Sequence, residues 1–128
     1  MRSARGRKRA RPSLVRVSEE MKQWSALLGA ELERWPGVST KLMFGFVSFY
    51  RGRNIFAALP KTRAMNSANS IIFKLRRASP QELAKLRRDP RAKVSEKGMA
   101  GWQSFELASS ADLKGALAWL DQAYRAAR

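Results

Sequence analysis

Apolar residues in this chain first recur at helical spacing. Val17, Met21, Trp24, Leu28, Leu32 and Trp35 follow at intervals of four, three, four, four and three, which lays them along one helix face. Ser18 stands where an N-cap belongs, and Glu19 and Glu20 occupy the turn where the helix dipole favours negative charge. Pro36-Gly37 ends the element. The period then changes. Residues 38–50 are rich in aromatic and β-branched side chains and read as one strand. Leu42, Phe44 and Phe46 fall on one face of it, and Met43, Val47 and Phe49 on the other. Gly45 inside that run reads as a bulge or a close backbone approach. A tight Arg51-Gly52 turn leads into a return strand over 54–59, with Ile55, Ala57 and Leu59 on one side.

Polar residues 61–70 read as a loop, with a candidate short strand near Met65. A third strand follows over 70–77, where Ile71, Phe73 and Leu75 face a core while Lys74 and Arg76 face water. Ser79-Pro80-Gln81-Glu82 is a capping box with proline at the first helical position. Leu83 and Leu86 give that helix a short apolar stripe, and Asp89-Pro90 stops it. Residues 91–95 are a candidate short strand. A last strand covers 102–107, with Gln103, Phe105 and Leu107 on one face and Trp102 on the face opposite Phe105. Ser109 and Ser110 cap a closing helix whose stripe is Leu113, Leu117, Leu120 and Tyr124, with Trp119 about one residue off it. The expected fold is α+β, a two-layer arrangement of a mainly antiparallel sheet with helices on one face, in the order α-β-β-β-α-β-α.

The segment Lys41-Leu42-Met43-Phe44-Gly45, followed by Phe49-Tyr50, Gly52 and Ile55-Phe56-Ala57-Ala58, resembles the amino-terminal domain of the TfoX (Sxy) competence-regulator family. Gly98-Met99, Trp102 and the helix over 112–124 fit the same pattern, and YjbR-like and MmcQ-like proteins look similar at this level. The resemblance spans about residues 18–126. Phe46 and Ser48 stand where that family often carries glycine. The resemblance implies a small α+β domain that is not an enzyme, and by fold analogy a winged surface able to meet DNA.

Charge adds a second theme. The 128 residues hold 26 Lys and Arg against 10 Asp and Glu, a net charge of +16 that draws in polyanions. Residues 1–16 carry seven of the basic groups and no acid, and are expected to form a disordered basic tail before a single domain over 17–128. Arg5, Arg7, Lys8, Arg9 and Arg11 of the tail are candidate phosphate contacts. So is a second concentration of Lys74, Arg76, Arg77, Lys85, Arg87, Arg88, Arg91 and Lys93, which the third strand and middle helix are expected to bring to one side.

With no cysteine and no histidine, disulfides, thiolate sites and the commonest general base are excluded. Most carboxylates fall on helix caps or polar faces. Glu96 and Glu106 are the exceptions and read as surface acids, so no catalytic, metal or cofactor residue is assigned. The longest mainly apolar run, 42–50, is far below the roughly 20 residues of a membrane span. A cytoplasmic, bacterial protein is the expectation. Two binding readings stay open, beside an enzymatic one that would use Glu96 or Glu106. One is an accessory or regulatory binding module with weak, salt-dependent affinity for nucleic acid. The other is a protein-interaction or homodimerisation domain using an open sheet face or edge strand. Phe49-Tyr50, beside Arg51 and Arg53, are either core rings or a surface on which bases stack.

Overall fold

The computed structural model describes residues 14–65, 67–94 and 101–128. Eight strands and three helices occur among them. Strand β1 (Leu14–Arg16) precedes helix α1 (Glu19–Leu32), and strands β2 (Val38–Met43), β3 (Phe46–Arg51), β4 (Asn54–Pro60), β5 (Arg63–Met65) and β6 (Ser70–Lys74) follow. Helix α2 (Pro80–Arg88), strands β7 (Ala92–Val94) and β8 (Trp102–Glu106), a single 3-10 turn (Ser110–Asp112) and helix α3 (Leu113–Ala126) complete the order. Six strands form one antiparallel sheet in the order β2-β3-β4-β6-β8-β7, and β1 pairs with β5 in a separate ribbon. The α+β class and the antiparallel sheet agree with the sequence pattern, and the helices α1 and α3 pack against one sheet face.

Local signals set the helix ends. The Ser18 hydroxyl accepts the Met21 amide at 3.1 Å and itself donates to Asn69 Oδ1 at 2.6 Å, tying the start of α1 to the loop before β6. At α2 both halves of the capping box form, with the Glu82 amide on Ser79 Oγ and the Ser79 amide on Glu82 Oε1. The predicted stripe of α1 is buried from Val17 through Leu32, and Trp35 packs against the core half-buried. In α3 the buried face is turned from the predicted leucine stripe. Ala116, Trp119, Leu120 and Ala123 are buried, while Leu113, Leu117 and Tyr124 are only partly so. Alanines allow the helix to approach the sheet, and the approach encloses Trp119.

Three expectations are corrected. Leu14–Arg16, expected to belong to the disordered tail, form a strand in which Leu14, Val15 and Arg16 pair with Met65, Ala64 and Arg63. Residues 38–50 are not one strand. They fold as a hairpin whose last pair is Met43 with Phe46, so Phe44 and Gly45 are the two turn residues, both at positive φ (54° and 85°). That is the backbone geometry favoured in two-residue hairpins, and glycine takes it without cost. The Gly45 carbonyl accepts the amides of Lys61 and Thr62, each at 2.9 Å, and of Arg63 at 3.3 Å. Gly45 is therefore a close approach, as the sequence allowed, but at a turn. Finally, the β3–β4 register shifts between Phe49 and Tyr50, leaving Phe56 without an opposite residue. The bulge brings both Phe56 and Ala57 into the core and moves Ile55 to the other face, away from Ala57 and Leu59.

Candidate nucleic-acid interface

The two sheet faces differ sharply. On the helix face Phe49, Phe56, Phe73 and Phe105 are all buried. Phe56 stacks with Trp35, meets Tyr124 edge-on at 5.5 Å and tilts against Phe49, and Phe73 stacks on Trp119 at 6.0 Å. Phe49 is a core ring, so the stacking role considered for it is ruled out. Arg51 is engaged there too. Its guanidinium lies 4.3 Å from the Tyr124 ring centre and donates to the Tyr124 carbonyl at 3.1 Å.

Strand alternation places the other face. Direct cross-strand pairing runs through Lys41, Ser48, Ala58, Ile72, Ser104 and Lys93, one residue from each of the six strands. The centre of this row is small, so a cavity of about 400 Å³ opens above it. Ser48, Ala58 and Ile72 form its floor, and Phe46, Ile55, Trp102, Met65, Leu14 and Phe44 its walls. Phe44 is 81% exposed at the hairpin turn. Ser48 is 1% exposed, and its hydroxyl has no hydrogen-bond partner. Tyr50, half-buried, lies on this same face, paired with Ile55. The sequence pattern separated Trp102 from Phe105 correctly. It missed Phe44, whose exposure depends on the turn.

The basic candidates do not gather on one side. Arg5, Arg7, Lys8, Arg9 and Arg11 lie outside the described residues, as does Glu96. Lys74 and Lys93 point to the open face, opposite Trp102 and Ser104 respectively. Arg76 reaches back to donate to the Ile55 carbonyl, and burial, together with neighbouring Arg77, lowers its pKa. Arg77 is exposed. Lys85, Arg87 and Arg88 are exposed on α2, whose Leu86 joins the helix-side core. Lys85 sits 5.9 Å from the Trp119 ring centre.

Arg91 has a different role. Its guanidinium bonds Asp89 through Nε (3.0 Å) and Nη2 (3.1 Å) and Asp112 through Nη1 (3.0 Å), and lies over Phe105. The two carboxylates raise its pKa. In return the hydrogen bond from Arg91 leads the causes that lower the Asp89 pKa, and Trp119 Nε1 adds another at 3.2 Å. Asp112 is lowered first by the Ala108 amide and then by Arg91. This cluster ties the end of α2 to the start of α3, and its positive charge is largely neutralised.

Among the described residues no three His, Cys, Asp or Glu side chains come together as a metal-binding group, and no helix is long and apolar enough to cross a membrane. Comparison with family models, curated proteins and solved structures gives no match to this chain.

Proposed function

We propose that this protein is a non-enzymatic basic binding module that holds nucleic acid through its phosphates, on the TfoX-type α+β plan that its Lys41–Gly45 segment resembles. One observation carries the reading. The acids of the described residues are mostly engaged internally, whereas most of the cations are not. Glu19 pairs with Lys22, Glu31 with Arg34, Asp121 with Arg125, and Asp89 and Asp112 with Arg91, while Glu82 closes a helix cap. Lys41, Lys61, Lys74, Arg77, Arg87 and Lys93 have no carboxylate within ion-pair distance. Among the described residues the surplus positive charge is therefore left free for a phosphate backbone, which releases counterions on meeting it.

The test is binding of a labelled oligonucleotide at about 50 and 200 mM salt, for the whole chain and for a chain lacking residues 1–13 so that β1 is kept. Neutralising about five phosphates weakens binding by about 10²–10³-fold between those salts. Removal of the tail lowers the slope without abolishing it. Affinity indifferent to salt, or absent at the lower salt, overturns the reading.

A second reading, self-association, is favoured by β2. This six-residue edge strand has both faces mainly exposed and Leu42 64% exposed. Antiparallel pairing of two copies with Thr40 against Thr40 sets Val38 against Leu42 and keeps the two Lys41 apart. Light scattering across concentration tests it, and a monomer at all concentrations excludes it.

A further inference from the structure

We infer that the open sheet face is a stacking platform for single-stranded nucleic acid, with bases on Phe44, Tyr50 and Trp102 and phosphates on Lys41, Lys74 and Lys93. The inference rests on the phosphate-binding reading above and deepens it by naming the strand state and the surface. Three observations converge. First, among the described residues no ring on this face stacks on another ring, whereas the rings of the helix side pair with one another in or against the core. Phe44 offers nearly its whole ring to solvent, while Tyr50 and Trp102 are half-buried, Trp102 packed against the Phe46, Ala58 and Ile72 cluster. Tyr50 and Trp102 stand on β3 and β8, three strand spacings apart, or about 14 Å. The cavity over Ser48 and Ala58, walled by Trp102, Phe44 and Phe46, has apolar walls and, at about 400 Å³, space for an unstacked base.

Second, the Ser48 hydroxyl at the floor is buried and unpartnered. A buried hydroxyl without a partner is costly, and the polar edge of a base supplies one. Third, the charge on this face is complementary to phosphate. Lys41 is directly opposite Ser48, Lys74 directly opposite Trp102, and Lys93 directly opposite Ser104. Among the described strand residues alternation places a single carboxylate here, Glu106, at the end of β8 remote from Trp102. A duplex keeps its bases stacked inside and gains nothing from the rings. A single strand gains from both rings and lysines.

The experiment measures fluorescence anisotropy of a labelled oligothymidylate of about twelve nucleotides and of a duplex of equal length. The single strand is expected to bind at least tenfold more tightly than the duplex. Phe44→Ala and Trp102→Leu each weaken single-strand binding by about 5- to 100-fold while leaving the salt slope unchanged. Lys41→Gln or Lys74→Gln lowers the slope by about one unit. Trp102→Leu keeps apolar volume at the wall, and Phe44→Ala alters a side chain outside the core, so a folding failure at one position leaves the other decisive. Equal binding of both strand states, unchanged by Phe44→Ala and Trp102→Leu, overturns the platform and leaves phosphate binding standing. No binding of either probe overturns both. Conversion of a dimer to a monomer by Phe44→Ala assigns the face to a second copy and also overturns the platform.

Discussion

One sheet carries two unlike surfaces. Its helix face closes on itself, with buried rings against rings and Arg91 between two carboxylates. Its open face leaves rings without ring partners and lysines without acids, while a buried hydroxyl without a hydrogen bond occurs on each side, Ser48 on the open face and Ser25 on the helix side. Burial of apolar area and satisfaction of polar groups stabilise a fold, so the first face is built for stability. The second forgoes part of that stabilisation, as surfaces that meet a partner do.

The contrast is broken most severely from the helix side. Phe56 is fully buried among Trp35, Phe49 and Tyr124, so Phe56→Ala is expected to cost about 3–5 kcal/mol in urea unfolding. A loss below about 1 kcal/mol would mean that this ring cluster is not the core it resembles.

Next comes the Arg91 tie. Arg91→Ala leaves Asp89 and Asp112 without their cation and is expected to cost about 2 kcal/mol near neutral pH, allowing for its partial exposure. The pH dependence has a definite sign. Both aspartates have pKa values lowered in the folded protein, so the unfolded chain binds protons first as pH falls. Their contribution is full above about pH 4, the usual carboxylate value, and is lost as pH drops through the lowered folded values. Denaturation followed from pH 7 to pH 2 should show that acid loss, and Arg91→Ala should flatten it. An equal acid slope in the variant would contradict the assignment.

The smallest effect has the opposite sign. Ser48→Ala removes an unpaired buried hydroxyl and is expected to leave stability unchanged or raise it by about 1 kcal/mol. A loss above that size in thermal unfolding would show that the hydroxyl has a partner in the folded protein.

How far these surfaces were legible in sequence depends on range. The stripe of α1 and the Ser79–Glu82 box involve neighbours within one or two turns, and both formed as read. The Phe44-Gly45 turn was hidden because phenylalanine is an unusual residue at positive φ and the apolar run continues through it. What anchors that turn is the Gly45 carbonyl taking amides from residues 61–63, a contact remote in sequence. The bulge at Phe56 reverses the side of Ile55, which alternation alone could not reveal. Cations close in sequence were dispersed for a related reason. Lys74 and Lys93 follow strand parity, Arg87 and Arg88 are exposed on α2, and Arg91 is held by Asp89 and by Asp112, the latter 21 residues on. Strand β1 is three residues long and finds its pairing with β5 across α1, so no local pattern announced it.

The most direct measurement reads binding and stability together in one variant of the open face. Phe44→Ala with Trp102→Leu should lower oligothymidylate affinity at low salt by more than either change alone, while the urea midpoint shifts by less than the Phe56→Ala midpoint does. Unchanged affinity in a folded double variant would contradict the division between a face that stabilises and a face that binds.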